Sequence, residues 1–230
     1  MTIQFKQLSE NALFVVFHDE INESTQRQIQ QAMQLLLQHP FPGLIEMIPS
    51  YTNFCVYYDP FIVRKKLPQT QTIAMSVQLY IEKLLQSLTT LEQIERRIIE
   101  IPVIYGGEYG PDLQEVAQCN QLTPEQVIKI HTSRDYLVYM LGFAPGFPYL
   151  GGLDERISTP RKNIPRLEIA AGSVGIGGNQ TGIYPYATPG GWQIIGRTKT
   201  ELFSLENDPP ALLQAGDIVR FVAIEEVASC

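Results

Sequence analysis

Between Gly142 and Arg197 the chain places 12 of its 17 glycines and 6 of its 16 prolines. Glycine admits φ > 0 and proline locks φ near −65°, so this stretch is built for turns and close backbone approach, not for long helices. Around it lie short apolar runs: Tyr136–Leu141, Ile169–Ile176, Gln193–Ile195, Glu201–Leu205 and Ile218–Ile224. Short strands at this spacing, with little helix, predict a β-barrel or sandwich. Phe147, Tyr149, Tyr184, Tyr186 and Trp192 stand among the turns beside Arg156, Arg161, Arg166 and Arg197. Aromatic rings and guanidiniums on a loop-rich frame point to a binding surface.

The first hundred residues read differently. Ala12–Phe17 is a strand-like run. Ile29, Met33, Leu36 and Leu37 then form a helical stripe that ends at Pro40. Leu44–Ile48 and Phe54–Tyr58 are strands, and Ile73, Val77, Tyr80, Ile81, Leu84, Leu85 and Leu88 make one helix face. Ile98–Ile104 is a further strand. This β-α-β-β-α-β order predicts an α+β unit, ferredoxin-like, over residues 1–105.

Gly106, Gly107, Gly110 and Pro111 mark a boundary. A helical connector over 106–133 follows, with one helix from Asp112 to Asn120. A second is opened by Thr123-Pro124-Glu125-Gln126, an N-cap, a proline at N1 and a capping-box glutamine. The barrel domain takes 134–230, with a short helical turn expected near Asp208–Leu213.

Charge and cysteine usage exclude several functions. Seventeen basic residues against 24 acidic ones give −7, which repels nucleic-acid backbones and anionic membranes. The helix-turn-helix-like stretch from Leu113 to His131 therefore lacks the charge to hold DNA. Cys55, Cys119 and Cys230 are odd in number and far apart, which fits neither a disulfide framework nor a zinc site. No apolar run approaches membrane-spanning length. A cytoplasmic protein is expected.

Gly172-Ser173-Val174-Gly175-Ile176-Gly177-Gly178 lacks G-x-G-x-x-G spacing, since Gln180 stands three places after Gly177, and the chain has no Gly-Lys-Ser/Thr. Turn structure is the favoured reading of this cluster, with backbone anion binding the alternative. Ser173 has no histidine after it in the chain, which excludes an α/β-hydrolase triad. His131 ends a helix, where capping and a place in a ligand site are the two readings. Arg161 and Arg166 each follow a proline, so their planar forks sit on an extended segment suited to a carboxylate or phosphate; local pairing is the alternative. Trp192, after Pro189-Gly190-Gly191, is a core plug or a pocket wall. No metal site is evident.

Several runs together carry a family resemblance: Gly142-Phe143-Ala144-Pro145-Gly146-Phe147-Pro148-Tyr149-Leu150, Pro160-Arg161 with Pro165-Arg166, Ala171-Gly172-Ser173-Val174-Gly175, Gln180-Thr181-Gly182-Ile183-Tyr184-Pro185, and Pro189-Gly190-Gly191-Trp192-Gln193-Ile194-Ile195-Gly196-Arg197-Thr198. The chain resembles the allophanate hydrolase subunit 1 family, to which the 5-oxoprolinase B subunits and an inhibitor of a sporulation histidine kinase belong. One departure is Ala170, where the family commonly has proline. The resemblance implies a cyclophilin-like barrel. It also implies work with 5-oxoprolinase subunits A and C in ATP-dependent opening of 5-oxoproline to glutamate, with ATP as co-substrate of the complex. Binding to a histidine kinase is the alternative, and a urea or allophanate carboxyltransferase-like role the weaker one. The substrate carries a carboxylate, so the candidate binding residues are His131, Arg161, Arg166, Gln180, Tyr184, Trp192 and Arg197, around the structural loop glycines and serine Gly172, Ser173, Gly175, Gly177, Gly190 and Gly191. The catalytic groups are not identifiable, and little activity is expected of the chain alone.

Overall fold

A computed structural model describes residues 3–18, 20–68, 70–86 and 96–225. The chain divides into two units, Met1–Glu95 and Arg96–Cys230.

In the first unit β1 (Gln4–Ser9), β2 (Ala12–Val16), β3 (Leu44–Pro49) and β4 (Asn53–Tyr58) form an antiparallel sheet in the order β1-β2-β4-β3. Three helices accompany it: α1 (Glu23–Gln38), α2 (Pro60–Lys66) and α3 (Ile73–Leu85). Strand periodicity buries Leu13, Val15, Phe54, Val56 and Tyr58, and they meet Ile29, Ala32 and Leu36 of α1 and Val77 and Ile81 of α3 in one core. Side chains of Asn22 and Thr72 cap α1 and α3 by accepting from the Thr25 and Met75 amides. The helical stripe is displaced by a residue from the expected one: Leu37 is exposed and Ala32 takes the inner place. Leu88 lies outside the described residues. The β-hairpin partner β1 and helix α2 carry no long apolar run, and pattern reading passes over both.

Ile98–Tyr105 is β5, and it is a barrel strand, not a fifth element of the first sheet. The expected ferredoxin-like order therefore does not describe the four-stranded sheet. β5 pairs in parallel with β13 (Ile218–Ala223) over six register positions, from Ile98↔Ile218 to Val103↔Ala223. That pairing ties the start of the second unit to its end.

The rest of the second unit comprises α4 (Leu113–Cys119), α5 (Pro124–Thr132), β6 (Asp135–Leu141), β7 (Pro148–Gly151), β8 (Arg166–Ile169), β9 (Ser173–Gly177), β10 (Gln180–Ile183), β11 (Thr188–Gly190) and β12 (Gln193–Arg197). Seven strands close a barrel in the order β10-β7-β6-β13-β5-β12-β9, and β8 with β11 forms a separate two-stranded ribbon. The run Ile169–Ile176 is thus two strands broken at Gly172. There φ is +79°, and a Cβ would collide with the Thr198 carbonyl oxygen. Glu201–Leu205 is no strand: Phe203 makes one bridge, to Ala211. Asp208–Leu213 is not helical.

Helices α4 and α5 are structural walls of the barrel. Leu113, Val116, Ala117, Val127 and Ile130 bury themselves with Ile101, Val103, Val138, Val174 and Phe221. The capping box at Thr123 and Gln126 forms as expected. Among the described residues no helix is long and apolar enough to cross a membrane.

Candidate functional site

The Pro-Arg segment does hold a planar guanidinium against a carboxylate, and the carboxylate is the chain's own. Asp112, at the start of α4, is buried and accepts from Arg166 Nη1 at 2.8 Å and Nη2 at 2.6 Å. Lys162 Nζ stands 2.9 Å from the same carboxylate, and the Ile194 amide donates to it at 2.7 Å. The Asp112 amide returns a bond to the Ile194 carbonyl, so α4 is stitched to β12 by both backbone and side chain. Burial by itself would push the Asp112 carboxyl up. The bonds from Arg166, Ile194 and Lys162 outweigh it and hold the group below its ordinary range. Lys162 also reaches Glu115 at 2.7 Å.

Arg197 is not paired with a carboxylate among the described residues. It is exposed at the end of β12, and its Nε donates to the Ala171 carbonyl at 2.8 Å. Its two terminal nitrogens have no partner among the described residues. Arg197 lines a cleft of about 580 Å³ together with Tyr109, Tyr186, Lys199, Glu201, Phe203 and the backbone at Gly172. A smaller recess of about 180 Å³ shares Arg197 and Tyr109 and adds Arg166, Ser173, Glu108 and Glu168. Of the residues predicted from sequence, Arg166, Arg197, Gly172 and Ser173 therefore meet here.

The others are elsewhere. Tyr184 and Trp192 are buried with Phe147, Ile169 and Ile194 in a satellite core, so neither is a wall of an open pocket. Arg161 lies over the Trp192 ring with its guanidinium carbon 5.6 Å from the centroid. Gln180 begins β10, opposite Gly177.

His131 is fully buried in the barrel. Tyr105 Oη lies 2.8 Å from its Nδ1, and Thr181 Oγ1 lies 3.0 Å from its Nε2. Thr181 donates its one hydroxyl hydrogen to the Gly175 carbonyl at 2.9 Å, so it accepts from Nε2–H. The tautomer follows: Nε2 carries the proton and Nδ1 accepts from Tyr105. Burial pushes the imidazole pKa down to about 3, which keeps it neutral. The imidazole is thus a neutral core group and lines neither cleft, and the cap position of α5 falls to Ser133.

The glycine cluster is structural as well. The Gly172 and Gly178 amides donate to the Tyr184 and Thr159 carbonyls, and β9 pairs with both β10 and β12. Its backbone is consumed by the barrel and does not form an anion nest. Gly177 leaves room for an indole: a Cβ there would sit 2.6 Å from Trp192 Cε2. Gly190 likewise accommodates the Tyr184 hydroxyl at 2.6 Å, Gly175 lies against Trp192, and Gly191 accepts from the Lys162 amide.

Sequence reasoning missed Asp112, Tyr105, Thr181, Tyr109 and Lys199. Asp112 follows Gly110-Pro111 and reads as a helix cap; its ligand Arg166 is 54 positions away. The others carry no local signal.

Residues 3–213 match the model of the carboxyltransferase domain, subdomain C and D, and the chain belongs to that family. It is 53% identical to the 5-oxoprolinase B subunit of Bacillus subtilis, over 97% of this chain and 93% of that protein. With the 5-oxoprolinase B subunit of Haemophilus influenzae it shares 49% identity over 78% of this chain and 79% of that one. The crystal structure of TTHA0988 superposes with a TM-score of 0.78 at 33% identity and covers 95% of this chain. The chain spans 41% of TTHA0988's length.

Proposed function

We propose, with membership of the carboxyltransferase subdomain C and D family as premise, that this chain is the B subunit of a 5-oxoprolinase, a component of a hydrolase that opens 5-oxoproline to glutamate. The observation that carries the reading is the 53% identity to a 5-oxoprolinase B subunit along nearly the full length of both chains.

Holding substrate is the part we propose for this chain, and the open fork of Arg197 beside the cleft supports it. 5-Oxoproline is a small ring bearing one carboxylate. Arg197, whose two terminal nitrogens are unengaged among the described residues, and Lys199 near it in sequence supply cationic groups to the 580 Å³ cleft, and Tyr109 and Tyr186 offer flat walls for the ring. Arg166 backs the site through Asp112 and is not itself the clamp. A lactam carbonyl is resonance-stabilised, and phosphoryl transfer from ATP to its oxygen would make it an electrophile for water. No residue lining the cleft is placed to carry out that transfer, which we assign to the partner subunits A and C along with the ATP site. ATP is a co-substrate of the assembly, and little turnover is expected of this chain alone.

The test is co-expression with subunits A and C and assay of 5-oxoproline-dependent ADP release. Arg197→Ala should raise KM for 5-oxoproline by about 10- to 100-fold, as expected for loss of a charge-assisted bond worth ~1.5–3 kcal/mol. Its unfolding midpoint should stay close to that of the parent. An unchanged KM removes Arg197 from the site; an assembled complex with no 5-oxoproline-dependent turnover refutes the function.

A further inference from the structure

Phe143 combines two unfavourable features. Its φ is +69°, a region that bulky side chains avoid, and the residue is 64% exposed. The loop around it is nevertheless tightly determined. The Ala144 amide donates to the Gly142 carbonyl at 2.8 Å, closing a three-residue turn with Phe143 at its centre, and this left-handed form of the γ-turn is the strained one. The Phe147 amide donates to Ala144 at 3.0 Å, and the Gly142 amide to Phe147 at 3.1 Å. Pro145 and Gly146, with φ +79° at the glycine, occupy the central positions of a type II turn. A Cβ on Gly146 would come within 2.7 Å of Phe203 Cβ, so the turn is pressed onto the body of the barrel unit. Sequence and packing together hold an aromatic ring out in a conformation it disfavours.

That ring continues a buried cluster to the surface. Phe143 lies 5.5 Å from Phe147 and 6.4 Å from Tyr184, centroid to centroid, and Phe147 contacts Tyr149, Tyr184 and Trp192 at 5.0–5.6 Å, all edge to face. Strand β8 ends in the same cluster. Ile169 is buried in the cluster, and Leu167, two residues away and therefore on the same strand face, is 92% exposed. Arg161 covers Trp192 and has no carboxylate partner among the described residues.

We propose that this face, formed by Phe143, Leu167 and Arg161, is the docking surface for the partner polypeptide of the 5-oxoprolinase, which presents apolar side chains next to a carboxylate. The proposal rests on reading the chain as one component of a complex. Two observations point to that occupant. Arg161 sets a cation on the aromatic cluster that Phe143 carries to the surface, so a segment with apolar side chains and a carboxylate complements both. In TTHA0988 this fold makes up 41% of a longer chain, so there it is covalently joined to further polypeptide. A rigid protruding aromatic is already ordered before association, which lowers the ordering cost at the interface.

Phe143→Gly separates this role from a structural one, because glycine relieves the strained φ while deleting the ring. The full-length chain, Phe143→Gly and Leu167→Ser should be titrated by calorimetry against purified subunits A and C, with melting temperature and sedimentation measured alongside. The expected result is an unchanged or raised melting temperature for Phe143→Gly with affinity for one of the two partners weakened at least about tenfold. Normal affinity in both surface variants would overturn the docking face and leave the 5-oxoprolinase reading standing. Loss of self-association instead of partner affinity would reassign the face to a second copy. A parent chain that binds neither partner would overturn both readings.

Discussion

Lowering the pH should destabilise the barrel through one residue. Folded His131 is neutral with a pKa near 3, whereas an unfolded chain's imidazole titrates near 6.5. A folded pKa below the unfolded one means that acid protonates the unfolded state first, so stability is complete above pH 6.5 and falls as pH drops toward 3. The full difference corresponds to ~5 kcal/mol at ~1.4 kcal/mol per pH unit, a large share of the ~5–15 kcal/mol that holds a typical domain folded. Between pH 7.5 and pH 5 the loss should be ~2 kcal/mol. Carboxylates do not confuse this window. Asp112, Asp135 and Asp154 have lowered folded pKa values, so their contributions persist above about pH 4 and are lost only below it.

The chain's single tryptophan, Trp192, lies in the barrel unit, so its fluorescence reports urea unfolding of that unit alone. With m of ~2 kcal/mol/M, the midpoint should fall by about 1 M from pH 7.5 to pH 5. His131→Gln can keep a donor toward Thr181 but cannot take up a proton. It should be less stable than the parent at pH 7.5 and lose far less of its stability on going to pH 5. His18 and His39 are present in both proteins and cancel in the comparison. Equal acid sensitivity in the two proteins, or an imidazole at 131 that titrates near pH 6.5 by NMR, would refute the assignment of a dry, neutral histidine.

Two further perturbations test the packing. Gly177→Ala drives a methyl into the indole and should destabilise the barrel by ~1–3 kcal/mol, read from the same fluorescence midpoint; an unchanged midpoint would show that Trp192 does not lie over that glycine. Asp112→Ala strands the Ile194 amide and unpairs Arg166, which is 32% exposed and can partly rehydrate, so the loss should be ~2–4 kcal/mol and not the upper extreme for buried pairs. Asp112→Asn should in addition flatten the part of the parent's acid sensitivity that lies below about pH 4; an undiminished acid limb would exclude Asp112 as one of its sources.

Helices and most long strands were legible because their burial is periodic: β2, β4, α3 and α5 follow from apolar spacing and caps alone. Pairing was not. Ile98–Tyr105 reads as a strand from its own residues, but only its parallel partner Ile218–Ala223, more than a hundred positions later, makes it part of the barrel. Strands β7, β10 and β11 have three or four residues each and are rich in glycine or proline, too short for any period to show. The glycine cluster was legible as structure, since Gly172, Gly175 and Gly177 answer steric demands from Thr198 and Trp192 and Gly178 has a φ of +64°.

Arginine identity alone does not separate the two guanidiniums of the proposed site. Arg166 and Arg197 look alike in sequence, and Arg166 had the stronger local case because two prolines stiffen its segment. What separates them is a carboxylate 54 residues upstream: Asp112 occupies both Arg166 nitrogens, while Arg197 gives only its Nε to a carbonyl. A guanidinium whose fork is filled by a buried carboxylate is tied into the fold, because freeing it would leave that charge uncompensated. One with two open nitrogens over a cleft carries no such penalty and can exchange water for a ligand carboxylate. The proline-stiffened arginine thus fixes the frame, and the recognising role is the one we propose for the exposed arginine at the end of β12.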